Sequence, residues 1–433
     1  MIIVDEELRR RAEQGKDIRV GLIGAGFMGR ALANQIVNSV PGMRLAAISN
    51  RNVSRARHAF DYAGVPDARQ VDTAGELDGA ASVLSPVVTE NPEALIQAES
   101  IDCIVDVTGA VEFGARITLA AIEAGMPLVS MNAELDGTVG PILAQRARRA
   151  EVVITAADGD QPGVQMNLIR FVKGIGCTPL VAGNIKGLQD PYRTPETQRA
   201  FAERWGQDPA MVTSFADGTK ISFEQAIVAN ATGMTISRRG MNGWTHEGHV
   251  DDLTTRYDVD ALIEVGGIVD YVVGSRPSPG VFVLATHPDP KQRHYLDLYK
   301  LGTGPLYAFY TPYHLCHFEV PNSIARAVLF GEHVLSPMAG PQVDVIATAK
   351  TDLNDGDVID GLGGFHTYGQ AETSPKTRAE GLLPMGIAVG CRVLRPVPKD
   401  EPLRYADVEL PAGRLIDQLR SEQTALFGPA EGS

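Results

Sequence analysis

The first third of the chain alternates between short apolar runs and segments with helical periodicity. Apolar strand patterns recur, separated by helical patterns, at residues 20–23, 45–49, 104–107, 127–131 and 152–155. Strands separated by helical segments of about ten or more residues indicate βαβ units with right-handed crossovers. Residues 1–157 are therefore predicted to form an α/β domain with a Rossmann-type, doubly wound parallel sheet.

The pattern changes twice further along the chain. Residues 158–341 mix strand and helix patterns without a second glycine-rich turn, which predicts an α+β domain for catalysis and dimerisation. Residues 342–433 contain many turn signals and two short β-type runs, VDVIATA at 343–349 and IAVGCRVL at 387–394. We expect this last part to be a small β-rich module.

A glycine-rich turn follows the first strand pattern and opens a helical pattern. In this turn Gly24 permits a tight bend, Gly26 lets a pyrophosphate approach the backbone, and Gly29 lets the helix pack closely on the strand. A helix N-terminus also attracts phosphate groups. The predicted dinucleotide loop comprises Gly24, Ala25, Gly26, Phe27, Met28 and Gly29.

The end of the second strand pattern bears on the choice of cofactor. NAD sites usually carry an acidic residue there, which binds the ribose 2′-hydroxyl, whereas this chain has Asn50 and Arg51. An arginine can pair with a 2′-phosphate, so we expect NADP(H) as the cofactor. The alternative is that Arg51 is an ordinary solvated loop residue.

Later strand ends add residues to the same edge of the sheet. Thr108 and Gly109 follow one strand pattern, and Asn132 and Glu134 follow the next. Ligands of such sheets bind beyond the carboxyl ends of the strands, so these four residues are predicted to face the nicotinamide. Each of the polar ones could instead be a helix cap or a turn residue.

Several residues beyond the Rossmann segment are candidates for catalysis. Lys186 lies in a glycine-flanked segment where desolvation could lower its pKa. The alternative is an ordinary lysine, whose aliphatic stem packs against the protein while its ammonium group reaches water. Lys220 precedes an apolar helical pattern at 223–231. This pattern contains Asn230, which is either a substrate contact or a core residue whose amide is hydrogen-bonded within the protein. Tyr313 lies in an aromatic and histidine-rich run and is a candidate substrate contact.

Composition and charge exclude several classes of function. The net charge of −14 argues against a nucleic-acid partner, and no apolar run approaches the ~20 residues that span a bilayer. Four widely separated cysteines and an N-terminus without signal-peptide features predict a cytoplasmic protein with reduced thiols. His314 and His317 have a metal-like spacing but no matching carboxylate, so no metal ligands are predicted.

Six motifs together resemble a known family. They are GLIGAGFMGR, DVTG (106–109), VSMNAELD (129–136), DGDQPG (158–163), NIKGLQDP (184–191) and AKTDLNDGDVIDGLGG (349–364). Over nearly the whole chain they resemble the 1-deoxy-D-xylulose 5-phosphate reductoisomerase-like proteins, with a homoserine-dehydrogenase-like NADP-binding domain and a C-terminal SAF module. The resemblance implies an NADPH-dependent homodimer, a possible divalent cation, and active-site roles for Asp158, Asp160 and Lys186.

The resemblance also implies a reaction. Members of this family convert 1-deoxy-D-xylulose 5-phosphate to 2-C-methyl-D-erythritol 4-phosphate, an isoprenoid precursor, and similar proteins act as oxidoisomerases of branched or linear sugar acids such as apionate. We therefore expect a reductoisomerase of a phosphorylated ketose or a sugar acid. In it Lys186 would polarise the substrate oxygens, and Asp158 or Asp160 would move a proton or bind the cation. A homoserine-type dehydrogenase and a non-enzymatic NADPH sensor are the alternatives.

Overall fold

Seven parallel strands form the sheet of the N-terminal domain. The computed structural model describes residues 4–428. The strands are β1 (Ile18–Ile23), β2 (Met43–Ser49), β3 (Arg69–Gln70), β4 (Val87–Thr89), β5 (Cys103–Asp106), β6 (Leu128–Ser130) and β7 (Ile154–Ala156). Their order is β3-β4-β2-β1-β5-β6-β7, and every neighbouring pair is parallel. The predicted Rossmann-type sheet is confirmed.

Helices cover both faces of this sheet, which explains why its central strands are apolar along their whole length. They are α1 (Asp5–Glu13), α2 (Phe27–Ser39), α3 (Val53–Tyr62), α4 (Ala74–Ala81), α5 (Pro92–Ile96), α6 (Val111–Ala124) and α7 (Ala133–Arg149). Two buried clusters form the core on either side, one containing Leu22 and Leu32 and the other containing Ile104 and Ile117.

A mixed five-stranded sheet forms the second part of the fold. Its strands are β8 (Thr178–Lys186), β9 (Trp244–Thr245), β10 (Ile268–Val273), β11 (Gly280–Thr286) and β12 (Tyr307–Thr311). The order is β12-β11-β8-β10-β9, in which β8 runs parallel to β10 and antiparallel to β11. Its helices are α8 (Gln161–Gly174), α9 (Pro195–Trp205), α10 (Pro209–Ala216), α11 (Thr219–Thr232), α12 (Val259–Glu264), α13 (Pro290–Leu298) and α14 (Cys316–Phe330), with a 3-10 helix at Val250–Thr255.

Helix α11 is buried nearly all around, and it packs against helices and strands from every part of the fold. Its apolar residues face α7 of the Rossmann domain, α8 and β10 of the second sheet, and the C-terminal strands. A helix that is apolar on all sides is expected in the interior of a protein. The elements around α11 therefore share one core.

Helix α14 returns the chain to the first domain. Val320, Ile324 and Ala325 lie in the same buried cluster as β1 and α2, and Ala156 forms an antiparallel bridge with Leu335. Residues that belong by position to the predicted second domain thus complete the core of the first.

The C-terminal part contains two antiparallel strand pairs. The strands are β13 (Val343–Ala349), β14 (Thr367–Thr373), β15 (Arg392–Val393) and β16 (Val408–Glu409), and the helices are α15 (Ser374–Ala379), α16 (Met385–Ala388) and α17 (Leu415–Phe427), with a 3-10 turn at Tyr405–Asp407. The predicted strand at 343–349 is confirmed. The one at 387–394 is largely wrong, because Pro384 leads into the short helix α16 and Gly390 takes a positive φ of 80°.

Helix α17 docks onto the Rossmann domain. The carboxylate of Glu112 accepts hydrogen bonds from the backbone N–H groups of Leu415 (2.8 Å) and Ile416 (3.0 Å), where a negative charge stabilises a helix N-terminus. Within residues 4–428, no helix has the length and apolar character needed to cross a membrane.

Candidate active site

The glycine turn has the geometry that a dinucleotide site requires. Gly24 has a φ of +107°, and a Cβ at Gly29 would lie 2.2 Å from the Gly24 carbonyl oxygen, so both positions need glycine. A Cβ at Gly26 would meet no heavy atom within 4 Å, which leaves open space over the backbone. Phe27 and Met28 form the first turn of α2 behind that space. These features fit a bound pyrophosphate.

The two residues that follow β2 differ in their surroundings: the side chain of Asn50 is hydrogen-bonded within the protein, whereas Arg51 is exposed. Asn50 accepts a hydrogen bond from the Ala25 N–H (3.2 Å) and donates one to the Asn52 carbonyl oxygen (2.9 Å). It therefore fixes the glycine turn to the neighbouring loop. Arg51 is exposed in that loop, and its expected contact with a 2′-phosphate stays a prediction.

The ends of β5 and β6 mostly contain caps and turns. Asp106 Oδ1 accepts from both the N–H and the hydroxyl of Thr108, at 2.9 and 2.7 Å, and Gly109 has a φ of +64°. Asn132 caps α7 through Leu135 N–H (3.1 Å). For Thr108 and Asn132 the structure favours the alternative of turn and cap residues, and Gly109 contributes its backbone conformation.

A buried ion pair joins the Rossmann domain to α11. Lys220 Nζ lies 3.3 Å from Glu134 Oε1, and both side chains are almost inaccessible. Burial by itself would lower the pKa of Lys220, but the carboxylates of Glu134, Asp160 and Glu224 outweigh it and raise this pKa. Lys220 is thus held as an ammonium ion at the predicted nicotinamide edge.

A second lysine–carboxylate pair lies beside the first. Lys186 ends β8, and its Nζ donates to the Phe215 carbonyl oxygen (2.8 Å). Glu224 lies one helical turn after Lys220 and accepts from Asn184 Nδ2 (2.9 Å). Burial lowers the pKa of Lys186 and, assisted by Asp160, raises the pKa of Glu224. Both groups can therefore exchange protons near neutral pH.

Buried amides orient Glu224. The Asn184 side-chain oxygen accepts from Gln165 Nε2 and from Gln225 Nε2 (2.9 Å), which turns the Asn184 amide nitrogen toward Glu224. Sequence analysis did not include Glu224 or Asn184 among the site residues. The available signal for Glu224 was its position four residues after Lys220 on an apolar helix.

The two carboxylates predicted after β7 lie in different surroundings. Asp160 caps α8 through Gln161 N–H (3.0 Å), its charge acts on Lys220 and Glu224, and it lines a small pocket together with Asn132. Asp158 is buried behind the loop and accepts from Asn167. Burial raises the pKa of Asp158 to about 6. Of the two, only Asp160 belongs to the lysine–carboxylate cluster, which consists of Lys186, Lys220, Glu134, Glu224 and Asp160.

A histidine and a cysteine complete this edge of the cluster. His314 Nδ1 lies 3.6 Å from Cys316 Sγ, and one ligand atom from each of Asp160, His314 and Cys316 lies within 4.8 Å of the others. The expectation that no carboxylate matches His314 is therefore wrong, because residues distant in sequence supply one. His317 instead stacks against Phe318, with ring centroids 4.1 Å apart.

The remaining candidates lie at the periphery. Asn230 Oδ1 accepts from the N–H groups of Gln342 (2.7 Å) and Val343 (3.0 Å), and its Nδ2 donates to the Val343 carbonyl oxygen (3.1 Å). It is six residues, or about 9 Å, along α11 from Glu224. These bonds favour the alternative of a satisfied core amide over a substrate contact. Tyr313 is 54 % exposed, next to His314 at the mouth of the site.

Two family models match the chain. Residues 18–130 match an oxidoreductase family described as having an NAD-binding Rossmann fold, and residues 159–320 match the catalytic domain of oxidoreductase DRL. No curated protein sequence matches the chain.

The solved structures to which the chain is similar include two dehydrogenases. A probable dehydrogenase from Thermotoga maritima is 11 % identical over 73 % of this chain and 90 % of its own, with a TM-score of 0.43. A scyllo-inositol dehydrogenase from Lactobacillus casei, with bound NAD(H) and scyllo-inositol, is 13 % identical over 75 % of this chain and 93 % of its own, with a TM-score of 0.41.

The matched segments agree with the geometry of the site. The first contains the glycine turn, and the second contains Lys186, Lys220, Glu224 and His314. Neither description names a substrate, a rearrangement or a preference for NADP. The two matches thus indicate an oxidoreductase in which residues 18–130 are similar to an NAD-binding Rossmann family and residues 159–320 are similar to the catalytic domain of oxidoreductase DRL.

Proposed function

We propose that this protein is an NADP(H)-dependent reductoisomerase of a small polyhydroxylated substrate, a phosphorylated ketose such as 1-deoxy-D-xylulose 5-phosphate or a sugar acid such as apionate. The observation that carries the proposal is the cluster of Lys186, Lys220 and Glu224 with Glu134 and Asp160. It lies at the edge of the sheet where a nicotinamide would end. A bound NADP(H) would supply or accept the hydride there.

The two lysines suit different tasks. Lys220 stays protonated beside Glu134, so it can bind a substrate oxygen and stabilise negative charge on it. Lys186 and Glu224 have pKa values moved toward neutrality by burial, so one can donate a proton while the other accepts one. A rearrangement of a hydroxyketone requires such a pair, because one hydroxyl loses a proton as the carbonyl oxygen gains one.

The preference for NADP(H) depends on Arg51. Replacing Arg51 with alanine removes a charge-assisted contact to the 2′-phosphate, which is worth about 1.5–3 kcal/mol or roughly tenfold or more in affinity. We expect the Kd for NADPH to rise by that factor and the Kd for NADH to stay unchanged. Arg55→Ala, on the exposed face of the next helix, is the matched control. Equal losses for both cofactors would remove the proposed role of Arg51.

The reaction is tested with a panel of phosphorylated ketoses, sugar acids, inositols and homoserine, assayed by nicotinamide absorbance and by NMR of the product. Lys186→Ala should lower kcat/KM by roughly 10² or more, about 3 kcal/mol of transition-state stabilisation. Lys173→Ala, at the exposed end of α8, should keep the wild-type rate. A near-wild-type rate for the Lys186 variant contradicts the assignment.

A dehydrogenase that does not rearrange its substrate is the second candidate. The same lysine and carboxylate groups suffice for proton and hydride transfer at a single carbon, and the Rossmann segment matches a general oxidoreductase family. A product with an unchanged carbon skeleton in the NMR assay would favour this candidate. NADPH binding without turnover of any substrate would favour a sensor.

Light scattering in solution tests the expected homodimer.

A further inference from the structure

We propose that Asp160, His314 and Cys316 form a binding site for one zinc-type divalent cation. The three side chains come from the N-terminus of α8 and from the segment that leads into α14. One ligand atom from each lies within 4.8 Å of the others, and within residues 4–428 they are the one group of three such ligands. The site shares Asp160 with the lysine–carboxylate cluster.

The distance between the histidine and the cysteine fits a shared ion. Zinc binds sulfur at about 2.3 Å and imidazole nitrogen at about 2.0–2.1 Å, so two ligands of a tetrahedral ion are about 3.5 Å apart. His314 Nδ1 and Cys316 Sγ are 3.6 Å apart. A mixed carboxylate, imidazole and thiolate set suits zinc or cobalt better than magnesium.

The surroundings of His314 supply an independent indication. His314 Nε2 lies 3.1 Å from the amide nitrogen of Gln161, while the amide oxygen of Gln161 is buried without a hydrogen-bond partner. Exchanging the amide oxygen and nitrogen of Gln161 lets that oxygen accept from Nε2–H. Nδ1 then carries a lone pair, and it lies 3.6 Å from Cys316 Sγ and 3.3 Å from the Gly159 carbonyl oxygen. A cation bound at Nδ1 would therefore replace the hydrogen bond that Nδ1–H donates to Gly159 in the other tautomer, while the bond at Nε2 orients the ring as second-shell partners orient metal-binding histidines.

The proposed site leaves a coordination position open. Three protein ligands with a free fourth position are typical of catalytic zinc, whereas structural zinc has four protein ligands. Binding would release the Cys316 thiol proton to solvent and leave the thiolate on the cation. If the proposed function is correct, the free position would be available to a substrate oxygen held by Lys220.

Cobalt binding tests the site without any substrate. The full-length protein is treated with a chelator and titrated with Co²⁺, which gives thiolate-to-cobalt charge-transfer absorption when a cysteine is a ligand. We expect one equivalent of Co²⁺ with this absorption in the wild type. Cys316→Ser should abolish the absorption, and His314→Asn should weaken binding by at least about tenfold. His317→Asn and Cys177→Ser are the matched controls and should behave as the wild type.

Each outcome decides the inference. Absence of charge-transfer absorption in the wild type, which requires no variant to fold, overturns it, and so does absorption that persists in Cys316→Ser. Circular dichroism checks that both variants are folded. A protein that binds cobalt as expected but turns over none of the substrates keeps the cation site and loses the proposed function. A protein that turns over substrate after chelation and shows no cobalt absorption keeps the proposed function and loses the cation site.

Discussion

Replacing Asp158 with asparagine should stabilise the protein at neutral pH. The Asp158 side chain is buried, and this burial raises its pKa from 3.8 to about 6, despite the hydrogen bond from Asn167 and the charge of Arg326. One pKa unit corresponds to about 1.4 kcal/mol, so ionised Asp158 costs about 3 kcal/mol of folding free energy. Asparagine keeps the oxygen that accepts from Asn167 and removes the charge.

The pH dependence follows from the sign of this shift. Between about pH 4 and pH 6 the folded protein retains the Asp158 proton that the unfolded chain has lost, so the free energy of unfolding falls as the pH rises through this window. Above pH 6 the full cost is present, and below pH 4 it is absent. The stability difference between Asp158→Asn and wild type should therefore be near zero at pH 4 and reach about 3 kcal/mol at pH 7.

Thermal and urea midpoints at pH 4, 5, 6 and 7 measure this difference. Asp61→Asn, on the exposed end of α3, controls for the loss of one surface charge and should show no such window. An Asp158→Asn protein that is less stable than wild type at pH 7 refutes the reasoning. It would mean that the attraction of Arg326 for the carboxylate exceeds the cost of burying it.

Four further substitutions have expected outcomes. Gly26→Ala should fold normally yet weaken NADPH binding, measured by fluorescence titration, whereas Gly29→Ala should lower the melting temperature because its Cβ has no room. Arg420→Met leaves Asp344 buried without its 2.7 Å partner and should cost about 3–5 kcal/mol in urea unfolding. Glu112→Ala removes the acceptor of two N–H groups of α17 and should cost about 1–2 kcal/mol by the same assay.

Local sequence was sufficient for the Rossmann sheet and the glycine turn. Each strand of the sheet centre is a short apolar run, and the roles of Gly24 and Gly29 depend on atoms a few residues away. The outer strands β3 and β4 were not predicted. Residues 69–70 are exposed and polar, so their strand conformation comes from pairing with β4 and leaves no apolar pattern.

The site itself could be predicted only in part. Lys186, Lys220 and Asp160 are recognisable as candidates from the sequence. The burial of Glu224 and its hydrogen bond with Asn184 instead depend on the packing of α11 against β8. The proximity of Cys316 to Asp160 depends on α14 returning to the Rossmann core. Neither arrangement has a local signature, because each depends on contacts between residues far apart in the chain.

The C-terminal module supports the site through the first turn of α11. Lys350 Nζ, buried between two carbonyl oxygens, lies 2.9 Å from Asp217 Oδ2, and Asp217 Oδ1 accepts from Thr219 N–H (2.9 Å). Lys220 is the next residue, so its position against Glu134 depends on this anchor. At the other end of α11, Asn230 binds the backbone at the start of β13. The module therefore holds both ends of the helix that carries Lys220 and Glu224, which explains how residues remote from the cluster can control its geometry.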